Sequence, residues 1–273
     1  GTHAPDSWSD CVAAIPDPDP MDDSDSGSDT GPQMSMFNPG EVQKTFAFRV
    51  KSYELPKSVT TYTDFVFNLP EDMTAGDGVH IVYGEAIVDQ PDHLHHFVVT
   101  GCTEQFPEQD LGMPVLEEAQ KERVARACQA PLGGFSGWAP GATLWDQPPD
   151  VGVPVGGATK IVALHINAHY TDADKVEGKI ISEDGIRIHY TPTFRQNVLY
   201  GLDLISIGSS DVVSLPQGQP RLFLTRTCRV EKTHKDRPVH VVGAFHHAHL
   251  LGREMYMTLT KADGTIIDLN SVP

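Results

Sequence analysis

Residues 161–172 read IVALHINAHYTD, and the alternation within this stretch decides the fold class. Leu164, Ile166 and Ala168 are apolar, whereas His165, Asn167 and His169 between them are polar. A period of two is the mark of a β-strand with one face on a core and the other turned away from it. The polar face aligns His165 with His169, and either could reach a common site.

Outward from this segment the chain continues as short β-rich runs punctuated by Pro and Gly. Upstream lie KTFAFRV, TTYTDFVFNL, HIVYGEAIV and HHFVVTGC; downstream lie GIRIHYTPTF, RLFLTRTC, HVVGAFHHAHL, REMYMTLT and TIIDL. Only LEEAQKERVARAC, residues 116–128, has a helical composition. Many short strands at this spacing predict an all-β fold built from antiparallel sandwiches. The histidine motifs fall on both sides of Gly185 to Thr193, so two tandem sandwiches are expected, over residues 41–194 and 195–273, the second incomplete at its C-terminal end.

Two further histidine motifs accompany the central one. HLHHF spans His93 to Phe97, and HHAHLLGREM spans His246 to Met255. Imidazole is the commonest side-chain ligand for copper, zinc and iron, so a metalloprotein is expected. His247 and His249, two apart on an apolar strand, face one way about 7 Å apart and could close on one ion. His95 and His96 are neighbours, which face opposite ways on a regular strand. One ion can take both only at a bulge or a strand end, so this pair predicts a local irregularity. His3, His80, His189, His234 and His240 carry no such pattern and are expected to be structural or surface residues.

With 37 acidic and 20 basic residues the 273-residue chain has a formal net charge of −17. That balance argues against nucleic acid or an anionic membrane surface as a partner. Residues 1–40 hold eight Asp and no Lys or Arg, including the run DPDPMDDSDSGSDTGP. Such a segment cannot bury enough apolar surface to offset chain entropy and is expected to be an acidic disordered tether. No run of 18 apolar residues occurs, so no membrane span is expected.

The four cysteines, Cys11, Cys102, Cys128 and Cys228, form no CxxC, so disulfides in an oxidising compartment are the better account. The chain opens on Gly and has no charged-then-apolar leader, as expected of a processed, exported protein. The expected setting is outside the cell, in a periplasm or in a vesicle lumen. No N-x-S/T sequon is present.

The ordered set HHF-VVTGC, GWAPGA, AHY, GIRIHYTPTFR and HHAHLLGRE resembles the copper type II, ascorbate-dependent monooxygenases. The likeness runs from about Thr60 to Leu269. GIRIHYTPTFR and HAHLLGR favour the dopamine β-hydroxylase-like branch over the related peptidylglycine α-hydroxylating one. The resemblance implies two coppers, one in each sandwich. His95, His96 and His169 would hold the first, which stores and passes an electron; this puts His169, and not His165, in the ligand position. His247 and His249, with a methionine further along, would hold the second, where O2 meets the C–H bond of a small substrate and ascorbate is the reductant. A soft thioether there suits Cu(I).

The resemblance also pairs Cys102 with Cys128 and gives His165 no ligand position; orienting a ligand is the lesser reading for His165 and for Asn167. It places Asp64 where a cysteine is usual, leaves Cys11 unmatched and puts the partner of Cys228 beyond Pro273. Met255 and Met257 are the methionines that follow His249, but a strand residue six positions on lies about 20 Å away, so both are expected to be filler. Phe245 stands where the peptide-hydroxylating branch has an Arg, which disfavours a peptide C-terminus as substrate. Two other readings of the same histidines are a copper-binding or scavenging protein without catalysis and a single-metal cupin-like oxygenase using His247, His249 and Glu254.

Overall fold

A computed structural model describes residues 41–130, 132, 137–140, 145–199, 217–218, 221–223, 242 and 252–272. The chain divides into two compact units, residues 32–202 and a second that includes residues 203–273. In the first unit the strands are β1 (Lys44–Arg49), β2 (Tyr53–Glu54), β3 (Thr60–Asn68), β4 (Val79–Ile87), β5 (Leu94–Cys102), β6 (Gly137–Trp138), β7 (Trp145–Asp146), β8 (Val151–Val155), β9 (Ala163–Thr171), β10 (Ile181–Ser182), β11 (Gly185–Thr191) and β12 (Asn197–Val198). Two helices, α1 (Glu71–Thr74) and α2 (Glu118–Ala127), interrupt them. The strands described in the second unit, β13 (Met255–Thr260) and β14 (Ile266–Val272), pair as an antiparallel hairpin. The fold is all-β, as the sequence predicts, and the one long helix lies where its composition placed it.

The first unit is a sandwich of two sheets. One runs β1-β11-β4-β8-β12 and the other β3-β9-β5-β6. Phe48, Ile186, Ile188, Ile81 and Val153 from the first sheet meet Phe65, Phe67, Leu164, Ile166, Phe97 and Val99 from the second in one core. On β9 the even-numbered residues Leu164, Ile166, Ala168 and Tyr170 all belong to this core. The alternation of IVALHINAHYTD is therefore the division between its inner and outer faces.

The outer face of the β3-β9-β5 sheet carries three unlike rows, set by a continuous antiparallel register. Tyr62, His169 and His96 share one row; Asp64, Asn167 and Val98 the next; Val66, His165 and Thr100 the third. From Val66 in the third row onward the face turns apolar. There Val66, Ala163 and Cys102 pack against Val124, Ala127 and Cys128 of the α2 region in a second, smaller core. Gln120 fastens the start of α2 by accepting from the Glu117 backbone N–H at 3.1 Å and donating to Asp110 at 3.1 Å. At the other end of α2 the Cys102–Cys128 disulfide ties the helix to the end of β5. This is the pairing that the resemblance implied.

Strand β8, VGVPV, was not among the strands read from the sequence. Pro154 lowers its strand propensity, and the short run is held by pairing with β4. Among the described residues no helix is long and apolar enough to cross a membrane. The runs RLFLTRTC and HVVGAFHHAHL lie mostly, and residues 1–40 wholly, outside the described residues, and with them the expected tether, Cys11, Cys228, His247 and His249.

Candidate metal centre

The neighbouring histidines on β5 sit on the irregularity that they predicted. The β5–β9 register shifts between Leu94 and His96: Leu94 faces Tyr170, His96 faces His169, and His95 is the extra residue. A bulge re-aims the extra side chain, and here it turns His95 to the outer face beside His96. The turn that feeds this bulge is fastened from below. Asp184 accepts hydrogen bonds from the backbone N–H groups of Asp89 and Gln90, and the Gln90 carbonyl accepts from the N–H groups of His93 and Leu94. His93 itself is buried, its Nδ1 3.0 Å from the Thr171 carbonyl.

His95, His96 and His169 thereby come together, with one ring nitrogen of each within 4.8 Å of the others. The His95 and His96 Nδ1 atoms are 2.9 Å apart, and those of His96 and His169 are 3.4 Å apart. Two nitrogens each about 2 Å from one ion and roughly 90–110° apart would lie about 2.9–3.4 Å from each other. The His95–His96 and His96–His169 separations thus match the spacing a common ion requires, and the donor set fits copper or zinc. His169 is 8% exposed, while His96 is half-buried and His95 exposed, so the set is anchored on one side and open to solvent on the other.

Two residues around His169 have no precedent in the sequence reading. Thr60 Oγ1 lies 2.6 Å from His169 Nε2. With the proton on Nε2 and donated to Thr60, Nδ1 is left as the lone-pair nitrogen that faces the cluster. Tyr62 lies flat on the same imidazole, with centroids 4.1 Å apart and planes 10° apart. The signal was the T-x-Y spacing on β3, which becomes legible only once the register places Tyr62 opposite His169.

His165 lies outside the three-histidine group. Its Nε2 is 2.7 Å from Asp64 Oδ1 and its Nδ1 is 2.9 Å from Thr100 Oγ1. Asn167 donates to the same Asp64 oxygen at 2.7 Å. The hydrogen bond from His165 holds the Asp64 carboxyl below the ordinary carboxylate range, against partial burial that pushes it up. Glu254, the third residue of the cupin-like reading, is engaged by Arg221 at 2.7 Å and by the Tyr256 hydroxyl at 2.9 Å.

His80 and His189, expected to be structural or surface residues, both make contacts on the other sheet. His189 faces Thr45, Tyr83 and Glu85 on the other sheet. His80 is 1% exposed, stacked under Phe194 at 4.5 Å, and its Nδ1 accepts from the Arg195 backbone N–H at 3.0 Å. Gly152 makes room for it, since a Cβ there would come within 2.4 Å of Nδ1. Burial, and then the nearby Arg195 charge, push the His80 pKa down. The unfolded chain therefore binds this proton more readily than the folded one, so stability from this group is constant above about pH 6.5 and falls as pH drops below it. Melting temperatures from pH 7.5 to 5 should show a decline that is shallower in His80→Gln than in the wild type.

Residues 46–177 match the family model described as the N-terminal domain of the copper type II ascorbate-dependent monooxygenases. Dopamine beta-hydroxylase of Rattus norvegicus is 26% identical over 228 residues, covering 82% of this chain and 35% of that protein. The Homo sapiens dopamine beta-hydroxylase is 25% identical over 228 residues, covering 80% and 35%. A tyramine beta-hydroxylase of Caenorhabditis briggsae is 24% identical over 222 residues, covering 79% and 36%. The chain thus spans about a third of the length of these relatives.

Proposed function

We propose, proceeding from a chain that belongs to the copper type II ascorbate-dependent monooxygenase family, that this protein hydroxylates a C–H bond of a small substrate. The observation that carries the reading is the gathering of three imidazoles on the outer face of the first sandwich, with the His95–His96 and His96–His169 Nδ1 separations at ion-sharing distances. His95, His96 and His169 would hold one copper there, and His247 and His249, assigned from their i, i+2 spacing, a second. Bound copper supplies one-electron redox chemistry, so that substrate, O2, two electrons from ascorbate and two protons give the hydroxylated product and water.

The protein's own residues set up this chemistry. The bulge presents His95 and His96 from one side, and β9 presents His169 from the other. Thr60 keeps the His169 proton on Nε2, and the Tyr62 ring restricts rotation of that imidazole. The exposed edge at His95 leaves a reductant a route to within reach of the site. The disulfide fits a secreted or vesicular setting. Relatives named for dopamine and tyramine, together with the net charge of −17, make a phenethylamine cation the first substrate class to try. Phe245 in place of a carboxylate-binding Arg disfavours a peptide.

The test is O2 consumption by the copper-loaded chain with ascorbate and a panel of phenethylamines. Hydroxylated product formed in step with O2 uptake supports the reading. Tight copper binding with no coupled product under any of these conditions would instead favour a copper-binding role without catalysis. Thr60→Val, which keeps the shape of the side chain but removes its oxygen, should weaken copper binding by about tenfold or more. Competition titration against a copper chelator measures that loss.

A further inference from the structure

The sheet face that carries the histidine cluster bears a second polar assembly that the proposed chemistry leaves unused. Asp64 of β3 receives two side chains of β9 on a single oxygen, His165 and Asn167, each at 2.7 Å. His165 continues across the sheet to Thr100 of β5, 2.9 Å from its other nitrogen. Side chains therefore tie together β3, β9 and β5, the three strands that supply Thr60 and Tyr62, His169, and His95 and His96.

The position of this tie is what gives it a role. It begins one row from the cluster, beside the stretch where the β5–β9 ladder is broken by the bulge at His95. A bulge loosens pairing locally, so the backbone alone holds β9 against β5 least well where the nitrogens must converge. A ligand set tolerates only about 0.5 Å of misplacement. Because His165, Asn167 and His169 share one face of one strand, fixing the first two against β3 and β5 fixes the third.

We propose that Asp64 is a positioning residue for the three-histidine site, acting through His165 and Asn167 to hold β9 where His169 meets His95 and His96. The proposal rests on the reading of that cluster as a copper site. It is distinct from the role of Thr60, which touches a cluster imidazole directly, and it gives His165 a function without making it a ligand.

The experiment compares copper affinity, Cu(II) electron paramagnetic resonance spectra and apo-protein melting for the wild type, Asp64→Ala and Asp64→Asn. Asp64→Ala should bind copper about tenfold more weakly, with altered copper hyperfine splitting. Asp64→Asn keeps an oxygen that can accept from His165 and should stay within about twofold of the wild type, with an unchanged spectrum. Wild-type affinity and spectrum in Asp64→Ala, even with lowered melting, would overturn the proposal and leave Asp64 a purely structural residue. A loss in Asp64→Asn equal to that in Asp64→Ala would also overturn it, because charge and not hydrogen-bond geometry would then be the cause. If the wild type itself binds no copper, it is the reading of the cluster as a copper site that fails, an outcome visible before any variant is made. Should Asp64→Ala not fold, the Asp64→Asn arm still decides between charge and geometry.

Discussion

Replacing His169 with alanine is expected to abolish copper binding at the first-sandwich site while leaving the sandwich folded. His169 is the one member of the cluster that comes from β9, and the one held on both flanks, by Thr60 and by Tyr62. Without it, His95 and His96 remain as adjacent side chains on one bulge, with no third imidazole grouped with them among the described residues. Removing groups that merely orient a ligand costs about 10–100-fold in metal affinity, so removing the ligand itself should cost more than a hundredfold. The imidazole lies on the outer face, outside the main core, so the apo-protein should lose only about 1 kcal/mol. His189→Ala on the other sheet is the control and should keep full copper binding. Metal analysis after gel filtration, with calorimetry of the apo forms, reads both results.

The second large effect is expected from the disulfide. Cys102 and Cys128 close a loop with a sequence separation of 26, which in the chain-entropy model stabilises by about 3.5 kcal/mol. Both cysteines are buried in the small core that α2 forms over the outer face, with Val66, Phe106, Val115 and Val124. Cys102→Ala together with Cys128→Ala should therefore lower the unfolding free energy by about 3 kcal/mol, measured by guanidinium unfolding under oxidising conditions. This core sits at the opposite end of the outer face from the histidine cluster. Copper stoichiometry should consequently survive the double substitution at temperatures well below melting.

The residues themselves explain why some of this was legible in the sequence and some was not. The period of two in IVALHINAHYTD needed no knowledge of neighbouring strands, since alternation is a property of one strand. The adjacency of His95 and His96 forced a bulge for the same local reason. Thr60, Tyr62 and Asp64 are different: their roles depend on which residue of β9 stands opposite, and pairing register between strands about 100 positions apart is not written in either strand alone. Asp64 is the clearest case. In the sequence it stood only as a residue in a position where a cysteine is usual; in the fold it accepts two hydrogen bonds and links three strands. Buried Asp184, which fastens the turn before His93, was equally unreadable, because its partners are backbone N–H groups some 95 residues away.

The central claim is that His95, His96 and His169 jointly hold one copper through their Nδ1 atoms. X-ray absorption at the copper edge, on the chain loaded with one equivalent of copper, tests it most directly when paired with the same measurement on His169→Ala. The account predicts three imidazole nitrogens at about 2.0 Å in the wild type and loss of that shell in the variant. Oxygen-dominated coordination in the wild type, or an imidazole shell unchanged in His169→Ala, would contradict it.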